Sequence, residues 1–282
     1  MAAANRWNGS SRSWWMREAI AEFASEGAAP IVKQPLASRV ALVTGASRGI
    51  GRASALALGE AGAHVIAVGR TQGALEELDD AIRSAGGERA TLVPMDLANG
   101  AGIDQLGFEI FQRHKRLDIL VHAAAMLGGL RPVAHIPPEL WDKIVAVNLT
   151  AVFRLIRSLE PLLKASDAGR AIFLTSGRAR SPKAFWGSYA ATKAALEALV
   201  RCWADEVDGS ALRAVILDPA AMRTKMREQA YPGEDPATLT DPAEIGPLIV
   251  ELARSADPGP PARSVNFIEW KSARAAASPG TP

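Results

Sequence analysis

The chain has 282 residues, 32 Lys and Arg against 30 Asp and Glu, and 48% hydrophobic residues. That length and apolar content suit one large α/β domain, and the near-neutral charge gives no global field to draw it onto nucleic acid or an anionic membrane. No apolar run reaches the roughly 18 residues a membrane helix needs. The N-terminus lacks a signal-peptide pattern. The single cysteine, Cys202, rules out an internal disulfide and reads as a buried structural thiol, so a cytoplasmic location is expected.

Residues 1–36 are expected to form an extension. Asn8-Gly9-Ser10-Ser11 is turn-like, and Trp14 to Ala24 could form a short helical arm ending at Gly27-Ala28-Ala29-Pro30. From 37 to 271, short apolar runs alternate with helical stretches. Strands are expected at Val40–Val43, His64–Val68, Ala90–Val93, Ile119–Val121, Ala171–Leu174 and Ala214–Leu217, with a weaker seventh from Val265 to Trp270. Helices are expected at Ile50–Ala61, Gln72–Ala85, Gly102–Arg113, Pro138–Ala165, Tyr189–Asp208 and Pro242–Ser255. Repeated βα units predict a single-domain, Rossmann-like doubly wound parallel sheet of about seven strands, with helices on both faces and ligands at the strands' carboxyl ends. Residues 272–282, rich in Ala, Ser, Gly and Pro, read as a disordered tail.

Directly after the first strand stands Thr44-Gly45-Ala46-Ser47-Arg48-Gly49-Ile50-Gly51, followed by a helix. Glycines let the backbone turn sharply and approach a pyrophosphate, and the helix N-terminus offers free N–H groups and the positive end of its dipole. The second strand ends in Gly69-Arg70-Thr71, without the carboxylate that would bind a ribose 2′-hydroxyl. Arg70, assisted by Arg48, could instead hold a 2′-phosphate, which predicts NADP(H) in preference to NAD(H).

Tyr189 and Lys193 stand four residues apart at the start of a helix and project from one face. A phenol, with a reference pKa near 10, is a weak acid–base group at neutral pH, and a lysine beside it is expected to lower that value. Ser176, thirteen residues before Tyr189 and just past a strand, could polarise a substrate oxygen. Together these groups suit hydride transfer between a nicotinamide and a carbonyl or alcohol.

Joined to the glycine loop, this pattern resembles the short-chain dehydrogenase/reductase superfamily over about Ser38 to Lys271, and within it small bacterial reductases of the 3-oxoacyl-carrier-protein reductase type. The resemblance implies a tetrad of Asn148, Ser176, Tyr189 and Lys193. In it Tyr189 is the acid–base, Lys193 binds the nicotinamide ribose and lowers the tyrosine pKa, Ser176 orients substrate, and Asn148 organises a water chain to the lysine. It further implies cofactor contacts from Gly45, Ser47, Arg48, Gly49, Ile50, Gly51, Arg70, the pair Asp96-Leu97, Ala123, Ala124, Tyr189, Lys193, Pro219, Met222 and Thr224. A homodimer or homotetramer is implied, through the helices that hold Asn148 and Tyr189, where Val145, Leu149, Val152, Phe153, Leu155, Leu196, Leu199 and Trp203 give apolar faces.

The chain departs from the family pattern in three places. His122-Ala123-Ala124-Ala125 replaces Asn-Asn-Ala-Gly, and His122 reads as structural. Pro219-Ala220 replaces Pro-Gly, which places a second alanine methyl beside the expected cofactor path. The segment between Thr224 and Pro242, where the family's substrate lid lies, is short. Substrate-pocket candidates are Met126, Leu127, Arg178, Phe185, Trp186 and Met222, while Arg178, Arg180 and Lys183 read as solvated charges or as an anion-recruiting patch. The four histidines lack metal-ligand spacing, and basic residues are not clustered with aromatics as in nucleic-acid binders. The competing reading is a catalytically idle NADP(H)-binding sensor or partner subunit on the same fold.

Overall fold

The computed structural model describes residues 34–254 and 262–277. The arm expected within residues 1–33 and the tail beyond 277 lie outside the described residues. Gln34–Phe267 is one compact unit. Its first turn already belongs to it: Leu36, assigned above to the extension, is buried, and its N–H donates to Ala61 O at 2.9 Å.

Seven strands form one parallel sheet: β1 (Val40–Thr44), β2 (His64–Gly69), β3 (Thr91–Pro94), β4 (Ile119–His122), β5 (Arg170–Leu174), β6 (Arg213–Asp218) and β7 (Ala262–Asn266), in the order β3-β2-β1-β4-β5-β6-β7. Every residue of β1, β4 and β5 is buried, which is why these strands read as continuous apolar runs. β3, at one edge, is only half-buried and ends at Pro94, where no further ladder bond is required of its nitrogen. The seventh strand lies upstream of its expected place. Ala262–Asn266 pairs with Ala214–Asp218, and Phe267–Trp270 already belongs to the next helix.

The helices are α1 (Gly49–Glu60), α2 (Gln72–Ser84), α3 (Gly100–His114), α4 (Pro138–Val145), α5 (Ala151–Lys164), a four-residue α6 (Gly177–Arg180), α7 (Gly187–Glu206), α8 (Lys225–Ala230), α9 (Gly246–Arg254) and α10 (Phe267–Ala277). α10 runs past residue 271 because Ala273, Ala275, Ala276 and Ala277 are strong helix formers, so the expected disordered tail does not begin at 272. The long helix expected over Pro138–Ala165 is interrupted by a π-helical turn, Ala146–Thr150. One face of the sheet packs on α3, α5 and α7 through Leu106, Val152, Leu155, Leu159, Val200 and Trp203 around Phe173. Phe173 is wholly buried and stands edge-on to Trp203, with ring centroids 6.0 Å apart. Cys202, expected buried, is exposed, since Val200 and Trp203 take the inward face of α7.

The amino ends of the strands are pinned by a buried carboxylate. Asp118 accepts from Val40 N at 2.8 Å and Ser166 Oγ at 2.6 Å and pairs with Arg39 and Arg116. These bonds hold its pKa below the usual carboxylate range against the opposing effect of burial. At the carboxyl ends the last residue of β6, Asp218, is also buried and paired, with Arg180. These ends open onto a cleft where the strand order reverses between β1 and β4, the place at which doubly wound sheets bind ligands.

Candidate active site

The cleft has a volume of about 860 Å³. Its first half is backbone. The turn from β1 into α1 carries Gly45 at φ +70°, and a side chain there would meet Ala124 Cα and N at 2.9 Å. Only glycine allows that turn and the close pass of the β4 loop. α1 begins at Arg48 with no side-chain cap and no acid in its first turn, so its leading N–H groups and dipole face the cleft unopposed. Ser47, Gly49, Ile50 and Gly51 line this half with Ala123 and Ala124; Arg48 and Arg70, both exposed, stand at its rim. Asp96 and Leu97 follow β3, with Asp96 accepting from Ala98 N at 3.0 Å. Pro219 and Thr224 complete the wall, and Thr224 also caps α8 by accepting from Arg227 N at 3.2 Å.

The second half is built from buried side chains. Tyr189 and Lys193 project from α7, 8% and 2% exposed respectively. Burial pushes the Tyr189 phenol up to about 12, opposed by a hydrogen bond with Ser176, and the charge of Asp218 pushes the same way as burial. Burial draws Lys193 down to about 8, opposed by the charge of Glu197 one turn further along α7. The ammonium donates to Leu174 O at 2.7 Å. Burial, and not Lys193, is the largest influence on the Tyr189 phenol.

Asn148 does not touch the cleft. It is fully buried in the π-turn, which rotates it inward out of the ordinary helical register. Its Oδ1 accepts from Met126 N at 2.7 Å, and its Nδ2 donates to Met126 O at 2.9 Å and Thr192 Oγ1 at 3.1 Å. It clamps the loop after β4 to α7. Ser176 is half-buried and caps α6 by accepting from Arg178 N at 3.2 Å. Met222 is buried behind the wall, where it bridges to Thr240.

His122 behaves as a structural residue. Its Nδ1 lies 2.9 Å from Thr44 Oγ1, and burial and Lys193 hold its pKa near 3, so the ring is neutral. Ala125 lines the cleft, whereas Ala220 does not, although it adopts a glycine-like φ of +59°. Among the substrate-pocket candidates, Met126 and Leu127 line the cleft. Trp186 packs edge-on to Tyr189 at 5.8 Å, while Phe185 is 55% exposed and Arg178 lies 5.5 Å over the Trp186 ring. Arg180 is not a free charge. It bridges two buried carboxylates, Glu197 at 2.7 Å and Asp218, tying the Ser176 segment to α7 and β6. The short segment after Thr224 is folded: α8 brings Met226 and Ala230 onto Leu127 and Tyr189, and Arg227 pairs with Glu234 at 2.5 Å. The sequence reading missed Arg131, which also lines the cleft. Its only sequence signal is the preceding Gly128-Gly129 pair, at φ +79° and +77°, which curls the loop back.

Comparison with known proteins fits this geometry. The short chain dehydrogenase family profile matches residues 39–235. The chain is 38% identical over 219 residues to the uncharacterised oxidoreductase YciK of Escherichia coli K12, covering 77% of this chain and 86% of that one. It is 30% identical to the 2,3-dihydro-2,3-dihydroxybenzoate dehydrogenase of Bacillus subtilis, over 82% and 88% of the two chains. Among solved structures, a short chain dehydrogenase of Shigella flexneri complexed with NADP superposes with a TM-score of 0.78 at 35% identity, covering 83% of this chain and 98% of that one. One from E. coli CFT073 complexed with NADPH gives 0.79 at 34% identity, over 88% and 99%. A parallel sheet with a glycine turn at its switch point and a buried Tyr–Lys pair beside it defines a nucleotide-dependent oxidoreductase. The chain belongs to the short-chain dehydrogenase/reductase family.

Among the described residues no helix is long and apolar enough to cross a membrane, and no group of three His, Cys, Asp or Glu could hold a metal ion.

Proposed function

We propose that the protein is an NADP(H)-dependent carbonyl reductase with Tyr189 as its acid–base. The observation that carries this reading is the placement of a buried Tyr189–Lys193 pair in the same cleft as the glycine turn and the acid-free end of β2. The residues present fit the cofactor. The turn leaves room for a pyrophosphate, the uncapped start of α1 favours its charge, and Arg70 suits a 2′-phosphate. The two relatives solved with NADP and NADPH support the same choice.

When bound, the cofactor supplies the hydride. A phenol held near pKa 12 is a donor rather than a base at neutral pH, and it remains far more acidic than an alcohol, so it can give its proton to the oxygen of the reduced carbonyl. Ser176, already hydrogen-bonded to Tyr189, orients that oxygen. Lys193 holds positive charge beneath the site, and Asn148 acts at one remove by fixing the Met126 loop. Leu127, Met226 and Trp186 exclude water from one side. Self-association through the outer surface of α3 and α5 is supported by Phe108 and Phe153, which are 55% and 50% exposed. Of the faces expected to associate, Val152, Leu155, Leu196 and Trp203 are consumed by the chain's own core.

The test is a titration of the protein with NADPH and NADH, repeated with Arg70→Asp, followed by turnover of a ketone and aldehyde panel with Tyr189→Phe as control. NADPH is expected to bind more tightly than NADH, and Arg70→Asp is expected to reverse that order. Tyr189→Phe should lower kcat by about 10²- to 10⁴-fold without a matching loss of NADPH affinity. Tight NADPH binding with no turnover of any carbonyl would favour the idle sensor, and binding of neither nucleotide would sink both readings.

A further inference from the structure

We infer that the substrate of this site carries an anionic oxygen group, a carboxylate or phosphate, that binds Arg131. The inference rests on the carbonyl-reductase reading proposed above and names the class of molecule reduced.

Arg131 lies on the loop between β4 and α4, on the wall of the cleft's chemical half. Its backbone N–H donates to Phe185 O at 3.1 Å, which joins this loop to the segment that leads into Tyr189. Its neighbours Leu127 and Leu130 belong to the apolar cluster around Tyr189. The guanidinium, beside Gly128, therefore belongs to the part of the lining that the loop after β4 contributes, apart from Arg48 in the glycine turn and Arg70 after β2.

Its own bonding is incomplete. Nε is buried and has no hydrogen-bond partner, and Nη2 reaches only Gly128 O, at a long 3.4 Å. Among the described residues Arg131 forms no ion pair, whereas Arg180, Arg201 and Arg227 all do. A buried donor left unsatisfied is costly, more so when charged, and such groups normally have a partner. No cleft wall supplies one. Among the described residues the only carboxylate lining the cleft is Asp96, after β3, against Arg48, Arg70, Arg131, Lys193 and Lys225. The consecutive left-handed glycines 128 and 129 give the loop the curl that turns Arg131 back over the cleft, a conformation no other residue pair adopts cheaply.

A guanidinium presents parallel N–H donors to two oxygens of a carboxylate or phosphate, and Nε is one of the pair. The same cleft is lined by apolar Leu127 and Met226, which pack in one cluster with Tyr189, Trp186 and Tyr231. The site thus fits a molecule with its carbonyl at one end, an apolar middle and an oxyanion at the other.

The test compares 4-carboxybenzaldehyde and 4-formylphenyl phosphate with neutral methyl 4-formylbenzoate, using NADPH and the wild-type, Arg131→Met and Arg131→Lys proteins. The wild type should favour at least one anionic aldehyde over the ester in kcat/KM, and which one identifies the oxyanion. Arg131→Met should reduce that preference by about 10- to 100-fold, and Arg131→Lys, which keeps charge but loses the fork, by less. Equal loss on the charged and neutral aldehydes, or weaker NADPH binding as the main effect, would overturn the inference. Because Nε has no partner to lose, Arg131→Met should melt no lower than wild type; a clear drop in Tm would point to a structural role instead. If none of the aldehydes is reduced, calorimetric binding of benzoate and of phenyl phosphate to the protein with NADPH decides. If NADPH itself fails to bind, the reductase reading falls, and the same titrations without nucleotide still decide the oxyanion site. Binding of either anion that is lost in Arg131→Met supports the inference, and no binding of either ends it.

Discussion

The two halves of the cleft are made of different materials. The cofactor half, below β1 to β3, is main chain: a glycine turn, an uncapped helix start, and two arginines whose side chains stand in solvent. The chemical half, below β4 to β6, is side chains withdrawn from water, with Asn148, Lys193 and His122 each at most 2% exposed. A backbone site tolerates most side-chain changes and fails only where a Cβ closes it. A side-chain site fails when one member of its hydrogen-bonded set is removed.

That contrast also explains what could be read before the structure. The glycine turn is eight contiguous residues between a strand and a helix, so sequence order alone reports it. The strands inside the sheet are equally legible, because burial on both faces makes β1, β4 and β5 continuously apolar. Tyr189 and Lys193 are joined by helical period. The rest depends on contacts between distant segments. No local pattern marks the π-turn that rotates Asn148 inward, or the meeting of Arg180 with Glu197 and Asp218. Arg131 has only the Gly128-Gly129 pair before it as a local mark, and its place in the cleft depends on the loop after β4 folding beside Phe185. β7 was misplaced because an edge strand is only half-buried and its composition does not separate it from the helix that follows.

The sharpest way to break the contrast is Asn148→Ala. The side chain holds both the N–H and the C=O of Met126, and the alanine variant leaves two partly buried backbone groups without that partner. A loss of about 2–4 kcal/mol is expected from denaturant unfolding, with NADPH affinity reduced less than turnover. A loss below about 1 kcal/mol would mean that the π-turn relaxes and that the chemical half depends less on its buried side chains than its geometry indicates.

A smaller effect comes from pH. Lys193 holds its proton less tightly when folded than at its ordinary 10.5, because it is buried. If its charge supports proton donation from Tyr189, kcat/KM for reduction should fall above about pH 8, while Tyr189, near 12, remains protonated throughout. Glu197 raises the lysine value, so Glu197→Gln should move this break to lower pH, by on the order of half a unit to one unit. The same shift acts on stability with the opposite sense. Between about 8 and 10.5 the unfolded chain binds more protons at this lysine, so its contribution to stability rises with pH there. A pH profile flat to pH 10 in both proteins would show that the lysine charge is not used.

The smallest effect tests the backbone half's rule at a place where the chain has broken it. Ala220, just beyond β6, sits at φ +59°, where a Cβ crowds its own backbone by about 1–2 kcal/mol. Glycine removes that strain but gives the unfolded chain more freedom, which returns about 0.4–1 kcal/mol. Ala220 is exposed and its N–H donates to Asp218 Oδ1 at 3.1 Å, a bond that glycine keeps. Ala220→Gly should therefore stabilise the protein by about 0.5–1 kcal/mol in denaturant unfolding. Since Ala220 does not line the cleft, NADPH affinity should not change. The reverse replacement at the glycine turn, Gly45→Ala, places a methyl against Ala124 and should abolish nucleotide binding. A gain in NADPH affinity from Ala220→Gly would instead mean that this methyl does obstruct the cofactor path.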